Sequence, residues 1–129
     1  MLDTHILVRW MTDDRRLSKE QSRVLERATH LGEPLAVSGA TLMELAGLAQ
    51  AGRARLPVGV ETIYRELENE AAVRILPITL EIAREVVSLL AVLRDPVDAV
   101  LAATARVHGL RLVTSDERIQ AANVVSTVG

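Results

Sequence analysis

Apolar positions along the chain recur at two spacings, and the spacing changes several times between the termini. Four short segments, "PLAVS" (34–38), "VRILPI" (73–78), "LRLVTS" (110–115) and "NVVSTV" (123–128), have the length and apolar density of buried strands. The opening "MLDTHILV" is read as holding a further strand that ends at Asp3. Between these segments the period becomes helical. In "LSKEQSRVLERATHLG", Ser18 with Gln21 fits a capping box, Val24, Leu25, Ala28 and Leu31 form one stripe, and Gly32 ends it. Helical patterns also run over 41–52, 60–71 and 79–93. The last long one is "RDPVDAVLAATARVHG", with Pro96 at its first position and Gly109 past its end.

Strands that alternate with helices and lack hairpin signals pair in parallel, with helices on both faces of the sheet. No repeat, low-complexity tract or linker interrupts the order, so the chain is expected to be a single α/β domain over residues 1–129. The last long helix carries a conflict. Almost every residue from Val97 to Ala105 is small or apolar, as in a helix buried on most faces, yet Asp98 lies among them. A buried carboxylate costs several kcal/mol (roughly) unless a charge or strong hydrogen bonds meet it.

Composition narrows the functional classes. The 129 residues are 49% hydrophobic and 25% charged, an ordinary globular balance. No run approaches the roughly 20 apolar residues of a membrane span, and there is no cysteine for a disulfide or thiolate metal site. A cytoplasmic location is expected. The net charge of −2 excludes a general basic field for nucleic acid. Lys19 is the sole lysine, and Arg15–Arg16 and Arg53–Arg55 fall in predicted loops, where local phosphate contacts could form. Trp10 and Tyr64 are the only aromatic residues, which argues against a base-stacking platform.

The acids fall at consistent places. In an open parallel sheet, ligands bind beyond the carboxyl ends of the strands. Asp3 ends the first strand segment, Glu44 lies a turn into the helix after "PLAVS", Asp98 lies in the first turn of the buried helix, and Asp116 follows "LRLVTS". Four carboxylates brought together repel, and a divalent cation relieves them; an all-oxygen donor set suits Mg²⁺ or Mn²⁺. Each acid also has a plainer explanation. Thr41–Glu44 fits a capping box, Asp95 before Pro96 is a good N-cap, and Asp116 could cap a short helix in "DERIQAA". Asp98 in a first turn gains only about 0.3–1 kcal/mol from the helix dipole. Asp3 has the weakest structural explanation. His5 reads as core or edge packing and His108 as a helix C-terminal residue, while Thr4, Thr114 and Ser115 flank the acids.

"LDTHIL", the acid in "SGATLMEL" and "RDPVDAVLAATARVHGLRLVTSDERI" together resemble the PIN-domain ribonucleases, especially VapC-type toxins of bacterial toxin–antitoxin pairs. The likeness spans nearly the whole chain in order. It implies a three-layer α/β/α sandwich with a mostly parallel central sheet. It further implies that Asp3, Glu44, Asp98 and Asp116 are the metal-binding, catalytic acids, with Asp95 and Thr114 auxiliary. Mg²⁺- or Mn²⁺-dependent RNA cleavage, homodimers and a cognate antitoxin partner follow from the same resemblance. Two features depart from the pattern: the chain opens only two residues before Asp3, and Ala99 stands where many relatives carry arginine.

The reaction expected is phosphodiester hydrolysis by a metal-activated water, leaving a 5′-phosphate and a 3′-hydroxyl. A partner helix is expected on the stripes of 18–31 and 41–52. Two competitors are weighed. A phosphoryl-transfer or receiver domain wants a second acid at the first strand end and a late lysine, and neither is present. A non-catalytic RNA- or protein-binding module on the same fold would not need the full acid set.

Overall fold

The computed structural model describes residues 1–51 and 56–129; Arg53 and Arg55, singled out above as phosphate contacts, lie outside the described residues. In chain order the elements are α1 (Thr4–Thr12), a 3₁₀ turn (Asp14–Arg16), α2 (Lys19–His30), β1 (Leu35–Ser38), α3 (Gly39–Gln50), α4 (Val60–Asn69), β2 (Val73–Leu76), α5 (Leu80–Leu93), α6 (Pro96–Val107), β3 (Leu112–Val113), α7 (Glu117–Ala122) and β4 (Thr127–Val128).

The expected opening strand is reduced to one residue. Leu2 bridges in parallel to Val37 on one side and Val113 on the other. Its N–H donates to the Ala36 carbonyl (2.9 Å), and the Asp3 N–H donates to the Val113 carbonyl (3.0 Å). Leu2 thereby joins the parallel pairs β1–β2 and β3–β4 into one sheet, ordered β2–β1–Leu2–β3–β4. The chain turns helical immediately afterwards because Asp3 caps α1, its Oδ1 accepting the Ile6 N–H at 2.8 Å. The residues His5–Val8 are therefore helix and not strand.

Alternation along the strands divides the core into two layers. Leu2, Leu35, Val37 and Val113 point to one face, against Ile6, Leu7, Leu25, Leu45 and Ile63 of α1–α4. Met1, Ala36, Leu76 and Leu112 point to the other, against Leu101 and Ala105 of α6 and Ile119 of α7. The result is the three-layer α/β/α sandwich with a parallel sheet. Behind it, α6 packs on α5 through Ile82, Leu89, Ala99, Ala102 and Ala103. The small residues of α6 let it lie close to both the sheet and α5, which explains its nearly all-apolar sequence. Ala99 is fully buried in that seam, so position 99 does not face a substrate.

The stripes of α2 and α3 open on different clefts. Leu25 and Thr29 border one beside Trp10 and Leu17, whereas Leu42 of α3 meets Tyr64 and Leu67 of α4 and Ile75 of β2. Among the described residues, no helix is long and apolar enough to cross a membrane.

Candidate active site

Asp3, Glu44, Asp95, Asp98 and Asp116 converge on one cleft of about 280 Å³, at the carboxyl ends of the strands. Thr4, His5, Arg9, Ser115 and Arg118 complete its polar lining, and Leu101 and Ile119 supply the apolar part. All four acids expected to act together, and auxiliary Asp95, therefore share one site.

Most of these carboxylates are also helix caps, which is how the fold aims them. Asp3 caps α1. Asp95 caps α6, its Oδ1 accepting the N–H of Val97 (2.9 Å) and of Asp98 (3.1 Å). Asp116 caps α7, its Oδ1 accepting the Arg118 N–H at 2.8 Å. Pro96 at the first helical position fixes the backbone angle after Asp95. Just before it, Arg94 has φ 59° and ψ −41°, and the Asp95 N–H donates to the Leu93 carbonyl at 2.6 Å. This is a γ-turn of the strained hand, which reverses the chain between α5 and α6 and delivers Asp95 to the cleft.

Glu44 is different. Ser38 caps α3, its Oγ accepting the Ala40 N–H at 3.1 Å, so the helix starts before Thr41 and the Thr41–Glu44 capping box does not form. Thr41 is instead buried and accepts a hydrogen bond from the Thr4 hydroxyl. Glu44 lies on the second turn, with its carboxylate on the cleft.

Thr114 stands between the first and fourth acids. Its Oγ1 accepts the Asp116 N–H at 3.0 Å, and its side chain lowers the pKa of the Asp3 carboxylate. Thr114 is fully buried.

The electrostatics mark Asp98 as the strained member. Burial is the largest influence on it, and Asp95, Asp116 and Glu44 add like charge; together they push its pKa from 3.8 up to about 6, against the pull of Arg118. Burial also raises Asp3, opposed by hydrogen bonds from Thr114 and Ile6 and by the charges of His5 and Arg9. Asp116 moves the other way, because the Arg118 guanidinium bonds it and holds its carboxyl below the usual range.

Arg118 answers what meets Asp98. Its guanidinium grips Asp116 through Nε (3.3 Å) and Nη2 (2.9 Å), and Nη2 stands 3.7 Å from Asp98 Oδ2. The Asp98 side chain is 15% exposed and that of Arg118 76%, so an exposed cation reaches inward to a half-buried acid. Sequence reading passed over Arg118. Its signal was the cation two residues after Asp116, but its reach to Asp98 is a tertiary fact. His5, read as core or edge packing, is exposed on the cleft.

Among the described residues, no group of three or more His, Asp or Glu side chains is already closed around a single point as an ion would require. The chemistry of the carboxylates fits a hard divalent cation: the donors are oxygens, the acids repel one another, and burial and like charge push Asp98 toward its neutral form. Asp98, Asp116, Asp3 and Glu44 are the residues that would hold it.

The PIN-domain family profile matches residues 1–125. Ribonuclease VapC22 of Mycobacterium tuberculosis is 36% identical over 121 residues, covering 93% of this chain and 88% of that protein. Among solved structures, VapBC2 from Rickettsia felis, bound to a DNA fragment from its promoter, superposes with a TM-score of 0.71 at 17% identity, over 99% of this chain and 96% of that one. A toxin–antitoxin complex from Klebsiella pneumoniae gives 0.67 at 23% identity, over 99% and 94%. FitAcB from Neisseria gonorrhoeae gives 0.69 at 20%, over 99% and 95%. At these identities the solved structures speak for the fold.

Proposed function

The chain belongs to the PIN-domain family, and from that premise we propose that it is a metal-dependent endoribonuclease, the toxin of a toxin–antitoxin pair acting in the cytoplasm as a single domain and a homodimer. The observation that carries this reading is the convergence of five carboxylates on one cleft at the carboxyl ends of the strands, in a chain 36% identical to a VapC ribonuclease. A bound Mg²⁺ or Mn²⁺ would supply charge for a phosphate oxygen and acidify an attacking water.

The chain's own part is to present and orient. Asp98 and Asp116 share the Arg118 guanidinium and are two of the residues that would hold the ion. Thr114 holds the Asp116 backbone, and Asp95 fixes the start of α6 and hence the direction of Asp98. The toxin role and the antitoxin partner are supported by the toxin–antitoxin complexes among the structural neighbours.

The test is cleavage of a mixed RNA pool by partner-free protein with Mg²⁺, with EDTA, and with Asp98→Asn. Cleavage that needs the ion and is lost in the variant is expected. Cleavage unaffected by EDTA and by the variant would remove the acid cleft from the reaction. Binding without cleavage by folded protein under every ion would favour the non-catalytic module.

A further inference from the structure

The capping box of α2 does more than begin a helix. Ser18 Oγ accepts the Gln21 N–H at 3.1 Å, and Gln21 Oε1 accepts the Ser18 N–H at 2.9 Å. With its oxygen committed to a backbone N–H, the Gln21 amide must turn its nitrogen outward. That Nε2 donates to Ser115 Oγ at 2.9 Å. Gln21 is 1% exposed, so the direction of this amide is fixed by a dry environment. A glutamate at position 21 would complete the box equally well. What glutamine adds is the N–H that reaches Ser115.

A second donor meets the same oxygen, since Arg9 Nη1 lies 3.2 Å from Ser115 Oγ. A hydroxyl accepts two hydrogen bonds and donates one. With both acceptor positions filled by N–H groups, the Ser115 proton is left to point away from them, where the residue lines the cleft. Arg9 lines it too, and it is held by a neutral hydroxyl, so its charge stays turned toward the cleft; it is one of the charges felt by Asp3. Arg118, the other arginine of the lining, is tied to Asp116 and Asp98.

A phosphodiester approaching five carboxylates needs a cation and donors at the rim. We propose that Arg9 and Ser115, set in place by Gln21, form a subsite for a backbone phosphate oxygen of the RNA substrate, beside the bond to be cut. The inference rests on the ribonuclease reading above. Arg9 and Ser115 would touch the substrate, whereas Gln21 is a positioning residue that keeps the Ser115 hydroxyl turned outward.

The test is binding of a short labelled single-stranded RNA of mixed sequence to Asp98→Asn protein in EDTA, which leaves the RNA intact. In this background Arg9→Gln lowers affinity by about tenfold, the scale of one charge-assisted hydrogen bond. It also reduces the slope of log K against log salt by about 0.7, the value of one single-strand phosphate contact. Ser115→Ala weakens binding by about three- to tenfold with the slope unchanged. Gln21→Glu keeps the capping-box pattern but buries a carboxylate, so the melting temperature falls, and it draws the Ser115 proton toward the new carboxylate, so affinity falls. Combined with Ser115→Ala, it adds little further loss, which separates positioning from simple charge repulsion.

An unchanged salt slope in Arg9→Gln, or unchanged affinity in Ser115→Ala, overturns the subsite. Since Gln21→Glu also lowers the melting temperature, exposed Ser115 decides the matter alone. Cleavage by the wild-type chain is measured in parallel. Wild-type cleavage with these variants binding as their parent does sinks the subsite and leaves the ribonuclease standing. Neither cleavage nor binding by the wild type sinks both.

Discussion

Replacing Asp98 by asparagine should make the metal-free protein more stable, and the gain should depend on pH in one direction. Asp98 has its pKa raised from 3.8 to about 6, first by burial and then by Asp95, Asp116 and Glu44. The folded state therefore binds this proton more tightly than the unfolded chain. Between about pH 4 and pH 6 the native form holds more protons, so stability falls as pH rises; above about pH 6 the whole penalty is in place. At 1.36 kcal/mol per pKa unit the difference from 3.8 to about 6 corresponds to about 3 kcal/mol. Water at the cleft mouth screens the charge, which leaves about 1–2 kcal/mol. Asparagine keeps the shape and removes the ionisation. The assay is thermal or urea unfolding of both proteins in EDTA from pH 4 to pH 8. The two should match near pH 4, diverge up to about pH 6, and then stay apart by about 3–8 °C in melting temperature. Asp3 is present in both proteins and cancels in the comparison. A difference that does not change with pH, or a variant less stable at pH 8, would refute the electrostatic account of Asp98.

Three further outcomes are expected. Mg²⁺ should raise the melting temperature of the wild type by the equivalent of about 2.7 kcal/mol at one hundred times its dissociation constant, and should leave Asp98→Asn nearly unmoved; calorimetry with and without the ion checks this. Arg118→Ala removes the guanidinium between Asp116 and Asp98, so carboxyl-carbon NMR titration in EDTA should find both pKa values higher than in the wild type. Leu7→Ala empties a fully buried position between α1 and the sheet and should cost about 2–5 kcal/mol in urea unfolding, with the cleft acids intact.

The parts of the fold legible in the sequence were those fixed by neighbouring residues. Ser18 and Gln21, Asp95 and Pro96, and Gly109 with its φ of 64° all act within a few residues of themselves, so their side chains announce the helix ends directly. The four strand segments were visible, but β3 and β4 pair over only two residues each. "MLDTHILV" misled because one bridging residue has no period to read. The helix begins at Thr4 through a cap that looks, in the sequence, like a lone acid. The Thr41–Glu44 pattern misled in the opposite way: the same spacing occurs inside a helix already started by Ser38. The contacts of Arg118 with Asp98 and of Gln21 with Ser115 join residues 20 and 94 positions apart, and no local rule reports them.

The dual use of the acids explains why each one, taken singly, looked structural. Asp3, Asp95 and Asp116 each satisfy a backbone N–H at a helix start; Asp3 and Asp116 stand where parallel strands end, and the turn at Arg94 brings Asp95 to the same edge. Capping therefore gathers negative charge at a single place as a by-product of topology. The fold tolerates three such carboxylates because each has hydrogen bonds in exchange. Asp98 accepts no helix N–H and sits near the start of a mostly apolar helix, and burial and its acidic neighbours raise its pKa. A residue whose charge worsens the metal-free fold at neutral pH, in a cleft whose other acids add to that penalty, is where function and stability part. Arg118 relieves that conflict in part, from an exposed position with its Nη2 3.7 Å from Asp98 Oδ2.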